Sequence, residues 1–238
     1  MLNKFKTSVI LSLVLAIMLS IGVVFPAAEV NAASTYSGTV DYVKDGDTIY
    51  LRQPVAGTRQ IRFLGIDTPE TFTVDGKDPG NQVDPYGNAA KAYLKNLLPS
   101  GTKITLVTDV VEKDAFDRLL AYVYKGTLDV NKDLVEKGYA ETYVIWPNSH
   151  DSERYESLRN AMISARNNGL GIWNSSNPLQ ERPFEYRDRM FDEVQDKYVG
   201  DFYTKKYVDP ADYKLIKIED QVFFFSEQDA INAGYSHQ

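Results

Sequence analysis

The 238-residue chain contains no cysteine and only two histidines, His150 and His237. The first absence removes disulfides, thiolate metal sites, thiol nucleophiles and an acylated lipoprotein anchor. The second, with no spacing that pairs the two rings, leaves zinc without its usual ligands. A metal must then be held by oxygen, which favours calcium, magnesium or manganese. Positive charge is also short: 26 Lys and Arg against 33 Asp and Glu give a net charge of −7. Bulk attraction cannot therefore draw in a polyanion. The last part of the chain is the most acidic, since residues 175–238 carry 8 basic side chains against 13 acidic ones. A polyanionic substrate would have to be gripped by a few placed arginines and a metal. Internal repeats and long low-complexity tracts are missing as well.

What is present begins with a leader. Lys4 and Lys6 precede an apolar run from Val9 to Phe25, and Val30-Asn31-Ala32-Ala33 offers a small-residue cleavage site. Residues 1–33 read as a signal peptide, and the mature protein as secreted or associated with the cell envelope. A retained membrane anchor is the alternative, because the run is nearly long enough to span a bilayer.

The next stretch reads as a meander. Tyr36–Val43 alternates as a strand, Lys44-Asp45-Gly46-Asp47 turns, and Thr48–Arg52 returns. Pro54-Val55-Ala56-Gly57 turns again into Arg59–Glu70, whose Ile61, Phe63 and Ile66 suit a buried sheet. Residues 73–85 are rich in Asp, Gly, Asn and Pro and read as an exposed loop. Asn88 can cap a helix to about Leu98. Thr102–Val110 and Leu119–Tyr124 are a fourth and fifth strand, Val130–Lys137 a short helix closed by Gly138, and Ser152 to about Asn168 a longer one. Five strands with three helices packed on them predict an α+β domain over residues 34–174, built on a small barrel. Residues 175–200, charged and extended or helical, are expected as a linker. Residues 201–238, with the apolar run Val222-Phe223-Phe224-Phe225 and a short helix over 226–233, are expected as a small accessory module.

Acid groups and arginines cluster along the early strands. Asp45 and Asp47 can form a plain hairpin turn, or can put two carboxylates on one side of extended chain, where a cation would relieve their repulsion. Asp67 can cap the turn fixed by Pro69 or act with the Thr68 carbonyl as further oxygen ligands. Glu70 can complete that shell or stay free as a general base toward water. Arg62 and Arg118 can be ordinary exposed sheet residues, or can stabilise charge on a phosphodiester undergoing attack.

Taken in order, these residues carry a resemblance. Asp45-Gly46-Asp47-Thr48, then Arg62 with Asp67-Thr68-Pro69-Glu70, then Tyr86-Gly87, then Asp114-Ala115-Phe116-Asp117-Arg118-Leu119-Leu120-Ala121-Tyr122 resemble the staphylococcal nuclease (thermonuclease) family. Gly138, Tyr143-Val144, Pro147-Asn148 and Gly171-Ile172-Trp173 extend the likeness over residues 36–174. The resemblance implies an OB-fold barrel and calcium-dependent hydrolysis of DNA and RNA to 3′-phosphate products. It implies that Asp47, Asp67 and the Thr68 carbonyl hold Ca2+ with Asp45 close by. Arg62 and Arg118 would grip the phosphate, Glu70 would act on the attacking water, and Tyr143 would line the nucleotide pocket.

Two departures bear on substrate affinity. Ala115-Phe116-Asp117 stands where the family often has Lys-Tyr-Gly, and Ile145 where a second pocket tyrosine is expected. With Tyr198-Val199-Gly200, Lys206-Tyr207, Pro210, Val222-Phe223-Phe224, Ser226-Glu227 and residues 230–235, the C-terminal segment resembles an Ada-like metal-binding module, but Asp212, Val208 and Ser236-His237-Gln238 stand where its metal ligands belong, so no metal is expected there. The rival function is a noncatalytic extracellular OB-fold that binds nucleic acid or matrix polymer. The default oligomeric state is a monomer with no stable protein partner.

Overall fold

Val40 and Val43, Ile49 and Leu51, and Ile61 and Phe63 are buried while the residues between them are not, the mark of strands with one face on a core. In the computed structural model, which describes residues 33–148 and 152–238, these strands close into a barrel. The leader through residue 32 and His150 lie outside the described residues. Strands β1 (Thr35–Val43), β2 (Thr48–Val55) and β3 (Thr58–Phe63) form the antiparallel meander read from the sequence. Next come β4 (Ile66–Asp67), helix α1 (Asn88–Leu97), β5 (Lys103–Val107) and β6 (Leu119–Lys125). Strand β5 pairs antiparallel with β1 and β6, and β6 returns parallel to β3. That last pairing closes the five-stranded barrel and leaves none of its long strands with a free edge.

The barrel interior and the helices above it form one apolar cluster. A short β7 (Leu128–Asp129) leads into α2 (Val130–Glu136), then β8 (Glu141–Thr142) pairs with β4, and α3 (Ser152–Asn167) follows. Leu94 of α1, Val130, Leu134 and Val135 of α2, and Leu158 and Met162 of α3 complete the cluster around Ile49, Leu51, Ile61, Phe63 and Leu119. A polar side chain is tolerated inside because it is satisfied: Asn131 accepts from the Val123 amide at 2.9 Å and donates to the Leu64 carbonyl at 2.8 Å. Helix α2 is capped by Asp129, whose carboxylate accepts from the Lys132 amide at 3.0 Å.

Helix α1 starts differently from the sequence expectation. Asn88 makes no cap, because Gly87 before it is already helical at φ −60° and ψ −45°; its side chain instead donates to Asp84 at 2.7 Å. The loop expected to be exposed over 73–85 is also tied down at its end. Asn81 and Gln82 are buried, bonded to backbone of the segment after residue 176: Asn81 donates to the Pro178 carbonyl at 2.8 Å and Gln82 to that of Glu181.

Residues 175–200, read as a linker, carry α4 (Pro183–Phe191), with Pro183 at its first turn where no amide partner is needed. The remainder builds a second sheet from β9 (Tyr198–Asp201), β10 (Lys206–Val208), β11 (Gln221–Phe224) and β12 (Ser236–His237), ordered β11-β9-β10-β12. Helix α5 (Glu227–Asn232) lies within it in sequence, capped by Ser226. Backbone bonds join this sheet to the chain after β8: the Phe223 amide donates to Val144 at 2.8 Å and the Trp146 amide to Phe223 at 2.9 Å. The described residues form a single compact unit. Among the described residues no helix is long and apolar enough to cross a membrane.

Candidate active site

Because Ile61 and Phe63 face the barrel interior, Arg62 between them is turned to the other face of β3. The pairing Thr48↔Arg62, with the Phe63 amide donating to the Asp47 carbonyl at 2.9 Å, brings the end of the 44–47 turn beside it. The β4–β8 pairing fixes Asp67 on the same side, opposite Glu141. Arg62 consequently bridges two buried carboxylates: one guanidinium nitrogen is on Asp47, the other is 2.6 Å from Asp67. Asp47 is further held by the amide and hydroxyl of Thr68, at 2.9 and 2.8 Å.

Close backbone approach makes this possible at two glycines. A Cβ on Gly46 would press on Thr68 and Ala90, and one on Gly87 would overlap the Glu70 carbonyl. Glu70 is thereby held against the start of α1, with its amide donating to the Gln82 side chain at 3.2 Å.

A side chain that the sequence reading did not assign completes the cluster. Arg187, from α4, places Nη2 2.8 Å from one Asp67 oxygen and Nη1 3.0 Å from the other, and the same Nη1 is 2.7 Å from Glu70. The only sequence mark of this was a charge set within a helical apolar stripe, since Pro183, Tyr186 and Met190, at the positions around Arg187, are all buried. Burial alone would raise the Asp67 pKa, but Arg187 and then Arg62 outweigh it and hold the acid below the ordinary aspartate value. For Glu70 the balance goes the other way: burial, with Asp67 adding to it, raises its pKa despite Arg187.

Asp45 lies beside this cluster and bonds to the backbone of Asp47. Its carboxylate accepts from the Asp47 amide at 3.2 Å, closing a turn, so the two acids do not share one side of extended chain. Among the described residues no three acidic or histidine side chains form a metal-binding group. The oxygen donors available to a cation are therefore Asp47, Asp67 and Thr68. That set fits a hard divalent ion in one respect: its two carboxylates already share a single cationic group, Arg62.

Arg118 precedes β6 by one residue, and the register Ile61↔Leu119, Arg62↔Leu120 sets it on the same face as Arg62. Its Nε is 2.6 Å from Asp114, and its guanidinium lies over the exposed Phe116 ring, 5.4 Å from the centroid. Tyr143 is half-buried, its ring 5.6 Å from Phe184 and 4.5 Å from Phe223, both from the C-terminal segment.

Comparison with known proteins identifies relatives of the chain. The family described as staphylococcal nuclease homologue matches residues 60–175. Endonuclease YhcR of Bacillus subtilis (strain 168) is 43% identical over 209 residues, which are 87% of this chain but 17% of that relative. The thermonuclease of Staphylococcus hyicus is 32% identical over 180 residues, 73% of this chain and 100% of that relative. Endonuclease YncB of Bacillus subtilis (strain 168) is 36% identical over 157 residues, 65% of this chain and 69% of that relative. The chain thus spans all of one relative and a small part of another, the family match takes in Arg62, Asp67, Glu70 and Arg118, and the chain belongs to the staphylococcal nuclease family.

Proposed function

We propose that the protein is a secreted, calcium-dependent endonuclease that hydrolyses phosphodiester bonds of DNA and RNA and leaves 3′-phosphate ends. The observation that carries this reading is the convergence of Asp47, Asp67, Glu70 and Arg62 on one side of the barrel. Family membership and relatives that bear the names endonuclease and thermonuclease support it. Oxygen atoms of Asp47, Asp67 and Thr68 would hold Ca2+, which supplies Lewis-acid stabilisation of charge on phosphate oxygen. Glu70 takes the proton of the attacking water, and burial raises its pKa above the ordinary carboxylate value, which strengthens it as a base. Arg62 and Arg118, on one face, neutralise charge developing on the non-bridging oxygens. Tyr143, partly exposed and stacked on Phe184 and Phe223, lines the nucleotide pocket.

The test is to incubate the chain with a circular single-stranded DNA and with an RNA, in calcium and in excess chelator. Cutting of both in calcium, and of neither in chelator, is expected. Binding of the circle without cutting would instead identify a noncatalytic nucleic-acid-binding barrel. Secretion rests on the composition of residues 1–33 and is tested by fractionating producing cells from their medium.

A further inference from the structure

Arg187 lies beyond residues 60–175, the part matched to the nuclease family, on a helix that belongs to the C-terminal segment, yet it touches two of the acids at the centre of the site. Its grip on Asp67 is bidentate and uses both carboxylate oxygens. Arg62 takes one of the same oxygens at 2.6 Å. Asp67, with its side chain fully buried, therefore has both oxygens engaged by guanidinium before any metal arrives.

Charge balance says what must give way. Asp47, Asp67 and Glu70 against Arg62 and Arg187 leave one net negative charge. Adding a divalent ion would make this enclosed cluster positive, whereas with Arg187 withdrawn the same ion brings it to neutrality. Arg62 is the harder of the two to move: its side chain is 15% exposed, bridges both aspartates and also donates to the Ile66 carbonyl at 3.3 Å. Among the described acids Arg187 touches Asp67 and Glu70 alone, and it is 29% exposed, so it has a path to solvent.

The helix itself is fastened on both sides of Arg187. Arg182 is bonded to Glu141, Tyr186 donates to the Phe72 carbonyl at 2.7 Å, and Arg189 holds Glu181 and the Asp78 carbonyl. Withdrawal is therefore a rotation of one side chain on a fixed helix.

We propose that Arg187 is a positioning residue of the nuclease site and an internal competitor for its metal: it holds Asp67 and Glu70 in place in the ion-free protein and turns outward when a divalent cation binds. This rests on the reading that Asp47 and Asp67 hold that cation. The C-terminal segment thereby sets the metal affinity of a barrel to which it contributes no ligand.

The experiment is calorimetric titration of Ca2+ into the chelator-stripped full chain, without nucleic acid, for the wild type, Arg187→Gln and Arg187→Lys. Arg187→Gln should bind calcium about tenfold tighter or better, because a like charge has left the site. Arg187→Lys, which keeps the charge but cannot grip both oxygens, should fall between. In chelator Arg187→Gln should melt lower than the wild type, and calcium should raise its melting temperature by more. Equal affinities in all three proteins, or weaker binding by Arg187→Gln, overturn the proposal. If Arg187→Gln does not fold, wild-type affinity in the folded Arg187→Lys protein overturns it too. Should none of the three bind calcium and the wild type cut nothing, the nuclease reading falls and this proposal with it; equal binding with wild-type cutting intact sinks the proposal alone.

Discussion

Arg182 sets its Nε 2.9 and 3.0 Å from the two carboxylate oxygens of Glu141, so a cation from outside the barrel meets an acid buried on β8. Burial pushes the Glu141 pKa up to about 7 from the ordinary 4.5, with Arg182 opposing. The folded state therefore holds this proton over a range where the unfolded chain has released it, and stability falls as pH rises from about 4.5 to about 7. Glu141→Gln removes the titration while leaving an oxygen for Arg182. Melting temperatures of the two proteins across this window should show the wild type losing ground to the variant as pH rises; parallel curves would count against the shift.

The two site arginines should part company in stability though not in activity. Loss of either guanidinium should cost on the order of 10²-fold or more in hydrolysis rate. Arg62→Ala also leaves Asp47 and Asp67 buried with fewer partners, a loss of about 3 kcal/mol. Arg118 and Asp114 are a partly exposed pair with side chains 23% and 18% accessible, so Arg118→Ala should cost under about 1 kcal/mol. Urea unfolding and single-turnover cleavage on both variants separate the effects.

Phe184 is 3% exposed and packs on Tyr143, Phe223 and Tyr213, which makes it the apolar anchor of α4. Phe184→Ala should destabilise the protein by about 3 kcal/mol and leave the neighbouring ring faces without their partner. Hydrogen exchange should then show faster opening of residues 183–191 than of the barrel strands. Uniform protection in the variant would mean that α4 is held by its polar bonds alone.

Gly87 has an ordinary helical backbone, φ −60° and ψ −45°, so alanine there meets no conformational penalty. Its cost is steric, because the new methyl group would overlap the Glu70 carbonyl. Gly87→Ala should lower stability by about 2 kcal/mol and should reduce cleavage more than metal affinity, since Glu70 moves and the aspartates do not. Calorimetry beside a cleavage assay tests that split.

The amino-acid sequence by itself determined the barrel, because every strand of the meander carries its burial pattern in its own few residues, as Ile61 and Phe63 flanking Arg62 show. It also determined the order of Asp47, Arg62, Asp67 and Glu70, and the α2 and α3 helices, whose apolar stripes are local. Only the tertiary structure decided who meets whom. The Asp45 carboxylate is on the Asp47 amide because a turn, not extended chain, sets the angle between the two residues. Tyr143 is covered by rings about 40 and 80 positions later in the chain, and Asp67 is met by an arginine 120 positions away. Periodicity marks a side chain as inward-facing, but the partner it finds depends on how distant elements pack, and no local spacing encodes that.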